Sequence, residues 1–97
     1  MDKRIHLNNL YDYYKKLFTD KQREYFEDYY YSNLSLAEIA ENNNISRNAV
    51  HNQLKIVEEK LLEYEEKLGL LKKKEQIIEL IFNEVSKDTL DNVIDVL

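Results

Sequence analysis

Five polar side chains, Arg47, Asn48, His51, Asn52 and Lys55, are spaced so that one helix would carry them all on its outer face. That set is suited to nucleic acid. Arg47 and Lys55 can donate to phosphate or to guanine, while Asn48 and Asn52 offer the donor and acceptor pair that matches the edge of adenine. His51 would add charge at lower pH. No other set of residues offers chemistry of its own. The only histidines, His6 and His51, fall on different helices without Asp or Glu at metal-ligand spacing, and there is no cysteine. The chain has no glycine-rich phosphate loop, no HExxH and no nucleophile elbow. Its carboxylates lie along helix surfaces, where solvated ion pairs account for them. The expectation is a binding protein, not an enzyme, with no metal and no cofactor.

The elements that must position these residues lie in Ser35 to Lys55, SLAEIAENNNISRNAVHNQLK. Ser35 with Glu38 forms a capping box opening a helix over 36–43, whose inward residues are Leu36, Ile39 and Ala40. Asn42-Asn43-Asn44 interrupts the pattern, and Asn44 suits the left-handed conformation that ends a helix. Ile45 tucks under the turn. Ser46 caps a second helix with Ala49, Val50 and Leu54 inward, leaving the five polar residues outside. This is the pattern of a helix-turn-helix, whose second helix presents its N-terminal residues to the major groove.

Around that centre the sequence reads as all-α. Gly occurs once and Pro never, so the chain lacks the turn residues that strands need. The spacing predicts a first helix over 4–18, with Leu7, Leu10, Tyr14, Leu17 and Phe18 inward. Thr19 and Gln22 form a second capping box and start a helix to about Tyr31, with Phe26 and Tyr29 or Tyr30 toward the core. Its other tyrosines are expected at a helix interface with hydroxyls in water, one or two of them exposed. Ser32-Asn33-Leu34 is a short turn. The fourth helix runs on from Arg47 for about 22 residues, with Val50, Leu54, Val57, Leu61, Tyr64 and Leu68 as a heptad seam and Gly69 at its end. After Lys72-Lys73-Lys74, read as a solvated run, a fifth helix is expected with Ile77, Ile78, Ile81, Phe82 and Val85. Ser86 would cap a last helix with Leu90, Val93, Ile94 and Leu97. The reading divides the chain into a helix-turn-helix module, 1–68, and a C-terminal helical arm, 69–97, that folds back or pairs with a second copy as a homodimer.

Charge and hydropathy set limits. The net charge of −5 argues against an indiscriminate nucleic-acid binder, yet residues 1–34 and 35–56 are each neutral and the whole acidic excess lies in 57–97. No apolar run resembles a signal peptide or a membrane span, so the expected location is the cytoplasm and no membrane partner is expected.

Several stretches together resemble the YlxM-like bacterial proteins. These are Thr19-Asp20-Lys21-Gln22, Tyr29-Tyr30, Ser35-Leu36-Ala37-Glu38-Ile39-Ala40-Glu41 and Ile45-Ser46-Arg47-Asn48-Ala49-Val50, followed by Lys55, Glu58, Lys60 and Leu61-Leu62-Glu63-Tyr64-Glu65-Glu66-Lys67-Leu68. The central segment is also similar to region 4 of sigma-70-type factors. The resemblance implies a helix-turn-helix fold and a regulatory or accessory role linked to the signal recognition particle pathway, whose GTPase genes neighbour those of the family. The sequence departs from the family at Asn42-Asn43-Asn44, where an acidic or apolar residue followed by Gly is commoner. Two functions follow as expectations. One is sequence reading on DNA, in preference to RNA, through Arg47, Asn48, His51, Asn52 and Lys55. The other is an accessory protein that docks on a protein or RNA of the particle.

Overall fold

The computed structural model describes residues 2–82 and 87–97, which fold into six α-helices with no strand among the described residues. The first, α1 (Lys3–Tyr14), is capped by Asp2, whose carboxylate accepts from the Arg4 amide at 2.7 Å. It buries Leu7, Leu10, Tyr11 and Tyr14. The chain then tightens into a 3₁₀ turn over Lys15–Leu17. Three residues per turn in place of 3.6 rotate the side chains out of the α register, so Leu17 is 56% exposed while Phe18 swings into the core. The helix predicted over 4–18 therefore ends early, and Tyr11 takes the core position expected of Leu17.

The second helix, α2 (Asp20–Tyr30), starts at the Thr19–Gln22 capping box. Phe26 is fully buried and stacks on Tyr11 with ring centroids 4.2 Å apart. Tyr29 and Tyr30 pack partly buried against the core, Tyr25 is buried, and Tyr31 is the exposed ring of the group. The hydroxyls do not simply face water. Tyr11 donates to Glu27 at 2.6 Å and Tyr30 to Glu58 at 2.9 Å, so these amphipathic rings carry their polar ends to carboxylates. The last carbonyls of α2 are held from a distance: Arg4 Nη2 donates to the carbonyls of Tyr29 and Tyr30 and to Asn33 Oδ1 at 2.9–3.0 Å.

The helix-turn-helix forms as read. Ser35 and Glu38 make both bonds of a capping box at α3 (Leu36–Asn43). Asn44 closes α3 in the left-handed region at φ 55°, ψ 42°, and the Ile45 amide reaches back to the Ala40 carbonyl. Asn43 adds a bond from its amide to the Ile39 carbonyl at 2.8 Å. Ser46 then caps α4 (Arg47–Leu68) through the Ala49 amide.

The 22-residue α4, about 33 Å long, is the spine. Val50, Leu54, Val57 and Leu61 are buried against α1, α2 and α3, and Tyr64 packs beside Tyr14 and Phe18. Leu68, the last residue of the predicted seam, is exposed. The seam is thus buried within one chain.

Gly69 ends α4 at φ 62° and α5 (Leu70–Ile81) begins at the next residue. The Lys72-Lys73-Lys74 run lies inside α5 and not ahead of it. Gly69 has no side chain to cap a helix, so two distant residues serve. Tyr14 Oη accepts from the Leu70 amide at 3.2 Å, and Glu65 accepts from the amides of Leu71 and Lys72 at 3.2 and 3.1 Å. Tyr14 also donates to Glu65 at 2.8 Å. Leu71 is buried in the main core, and α5 returns along α1, where Lys74 lies 5.8 Å from the Tyr13 ring. The final helix, α6 (Lys87–Val96), packs on α5, with Tyr13 donating to the Leu97 carbonyl at 3.2 Å. Val85 and Ser86, to which the sequence assigned core and capping roles, lie outside the described residues, as does the side chain of Leu90. Among the described residues no helix is long and apolar enough to cross a membrane.

Candidate nucleic-acid interface

The interface is built on the first half of α4. At 100° per residue, the buried positions Val50, Leu54, Val57 and Leu61 fall within about 60° of arc. Arg47, Asn48, His51, Asn52 and Lys55 share a separate arc of about 140° on the same helix. All five are exposed, so burial of the seam against α1, α2 and α3 turns them together toward solvent. Among the described residues none of the five side chains makes a hydrogen bond or ion pair. His6, the other histidine, is half-buried on α1 and takes no part.

The start of α4 differs from those of α2 and α3, although α1, capped by Asp2, likewise has no acidic residue in its first turn. Acidic residues stand in the first turns of α2 (Asp20) and α3 (Glu38), where they complement the positive end of the helix dipole. The first turn of α4 contains no acidic residue and opens with Arg47. That choice costs about 0.3–1 kcal/mol locally. It leaves Arg47 without an anionic partner at the helix start, beside two asparagines that make no side-chain hydrogen bond among the described residues.

The acidic excess is held elsewhere. Glu58 accepts from Tyr30, Glu65 caps α5, and Glu63 pairs with Lys67 at 2.8 Å, all beyond the reading half of α4. Lys67 holds the Glu63 carboxyl below the usual range, and Glu63 in turn raises the Lys67 ammonium. On α6, Asp88, Asp91 and Asp95 are exposed along one face. Since α6 packs on α5, this acidic stripe is carried by the arm and not by the reading head. Sequence reasoning missed two neighbours of the reading face, Lys3 and Arg4, which border a groove shared with His51 and Lys55. Nothing in the local pattern of α1 signals that adjacency, which arises only when α1 packs on α4.

Comparison with known proteins agrees with this architecture. Residues 1–95 match the model of a family described as "Putative helix-turn-helix protein, YlxM / p13 like". A UPF0122 protein of Halalkalibacterium halodurans is 47% identical over 81 residues, covering 84% of this chain and 74% of the relative. One from Geobacillus kaustophilus is 46% identical over 90 residues, 90% of this chain and 82% of the relative. A third, from Listeria monocytogenes, is 42% identical over 94 residues, 97% and 86% respectively. With a helix-turn-helix in the structure and a match over nearly its full length, the chain belongs to the UPF0122 family of YlxM/p13-like helix-turn-helix proteins.

Proposed function

We propose that this protein is a cytoplasmic DNA-binding regulator that inserts the first half of α4 into the major groove. One observation carries the reading: five polar side chains on one exposed face of the second helix of a helix-turn-helix, none engaged by another described residue. Arg47 and Lys55 take phosphate or guanine, and Asn48 and Asn52 read base edges. Few cations take part, so affinity is modest and strongly salt-dependent. The reading includes a homodimer, supported by apolar side chains left in solvent on the arm: Leu80 is 76% exposed, Phe82 61% and Val96 87%. Sedimentation at tens of micromolar giving twice the chain mass supports the dimer, and a monomer there removes it.

Selection of duplexes from a random library by the purified protein tests the main reading. The expected result is a discrete motif, with Arg47→Ala plus Lys55→Ala weakening binding and lowering the salt slope by about two. Unchanged binding and slope in that double variant would overturn the assignment.

A second reading is favoured by the neutral head and by the exposed Asp88, Asp91 and Asp95 on α6. It makes the protein an accessory factor docking on a basic component of the signal recognition particle. Affinity capture from native lysate with and without nuclease separates the two. Nuclease-resistant recovery of a particle protein supports docking, and DNA fragments recovered without protein support regulation.

A further inference from the structure

A groove of about 590 Å³ runs beside the reading face, between the start of α1 and the middle of α4. Its floor includes Tyr29, Tyr30, Leu36 and Leu54, and its rim carries Lys3 and Arg4 on one side and His51 and Lys55 on the other. His51 and Lys55 belong to the reading face as well, so groove and reading face are continuous. The Lys3 side chain is 78% exposed, and its ammonium stands 3.9 Å from Glu58, the outer limit of an ion pair. Arg4 is fixed in place. It commits only Nη2 to the end of α2 and lies 4.8 Å from the Tyr30 ring centroid, which leaves Nη1 and Nε without a protein acceptor among the described residues. Two carboxylates also border the groove. Asp2 caps α1, and Glu58 accepts from Tyr30.

We propose, resting on the DNA-binding reading above, that this groove seats a backbone phosphate next to the major-groove contact, between Lys3 and Arg4 of α1 and Lys55 of α4. Three cations border the groove, one of them pre-positioned by helix carbonyls and aromatic rings. Asp2 and Glu58 are the opposing charges, Glu58 the nearer to Lys3 at 3.9 Å, and they keep the groove from being a general polyanion trap. The α1 terminus then fixes the register of the protein on the duplex, and α4 reads the sequence.

Salt titrations of binding to a mixed-sequence duplex test this with two variants of opposite sign, at exposed Lys3 and at half-buried Glu58. Lys3→Ala is expected to lower the salt slope by about one and to weaken binding on the order of tenfold at about 50 mM salt, uniformly across sequences. Glu58→Gln keeps an oxygen for the Tyr30 hydroxyl, removes the charge and is expected to tighten binding about two- to fivefold. The circular dichroism melt of Lys3→Ala should match the parent, and Glu58→Gln should remain fully helical at the assay temperature. If both variants keep the parental affinity and slope while Arg47→Ala weakens binding, the groove assignment is wrong and the reading face stands. If the parent protein binds no duplex at that salt, the DNA-binding reading itself fails and the groove falls with it.

Discussion

The two halves of α4 treat their polar side chains in opposite ways. From Arg47 to Lys55 the five outer polar residues are exposed and unengaged, whereas from Glu58 to Lys67 four of the seven charged residues have bonded partners and three, Glu59, Lys60 and Glu66, are exposed without one. Glu58 holds Tyr30, Glu65 holds Tyr14 and the first amides of α5, and Glu63 holds Lys67. The helix, the backbone and the buried seam are continuous across both. What differs is whether a polar group has found its partner inside the chain. The second half commits four of its seven charges to bonds within the chain, and the first half commits neither of its two, Arg47 and Lys55.

High pH gives the largest test of that contrast, because it acts on several tyrosines at once. Burial, then the carboxylates they bond to, push the hydroxyls of Tyr11 and Tyr30 well above their usual range, and Tyr14 is raised for the same reasons. A raised folded-state pKa means that the folded chain holds the proton more tightly than the unfolded one. The contribution is therefore fully present below the unfolded value of about 10 and is lost as pH rises above it. Tyrosinate absorbance and far-ultraviolet dichroism should change together for these three residues. Normal titration of all the tyrosines with the helices intact would show that the tyrosine–glutamate pairs hold little.

Leu61→Ala comes next. Leu61 is fully buried in the structural half of α4, and its truncation should cost about 2–5 kcal/mol in denaturant unfolding. A smaller change would mean that the second half of α4 is not anchored on the head. Glu65→Ala follows, at about 1–3 kcal/mol. It strips the cap from α5 and leaves Tyr14 without its acceptor. The first amides of α5 should then exchange hydrogen faster than those of α3. If they do not, Leu71 and the Tyr14 bond to the Leu70 amide suffice to hold the corner at Gly69. The same corner bears on the proposed division at 68/69, since a chain ending at Leu68 would lack Leu71 and the two α5 amides that Glu65 accepts from, keeping only Tyr14 as its partner.

The reading half was legible in the sequence because everything that builds it is local. Ser35 and Glu38, the left-handed Asn44 and the Ser46 cap each act within four residues, and the exposure of the five polar side chains follows from Val50 and Leu54 pointing inward. The structural half was less legible because its determinants act across the chain. Gly69 reads as the end of one helix, and only the folded chain brings Tyr14 and Glu65 to start the next helix there. The periodicity of Leu10, Tyr14 and Leu17 continues straight through the switch to 3₁₀ geometry at Lys15, so the sequence placed Leu17 in a core that it does not enter. No local pattern singles out Arg4, because its service to the end of α2 depends on packing between residues some 25 positions apart.

The smallest effect on stability is expected where the effect on binding is largest. Asn48→Ala plus Asn52→Ala touches no hydrogen bond among the described residues, and both positions are exposed, so the unfolding free energy should change by less than about 0.5 kcal/mol. Ala favours helix more than Asn does, so any change should be toward higher stability. The same pair should erase discrimination between the selected duplex and a scrambled one, at about 1–3 kcal/mol for each base edge no longer read. A fold left intact and a preference abolished would separate the two halves of α4 in one variant. A drop in stability instead would mean that these asparagines have structural partners and that the first half of α4 resembles the second. Unchanged stability with discrimination also unchanged would move sequence reading off this face and leave Arg47 and Lys55 as phosphate contacts at most.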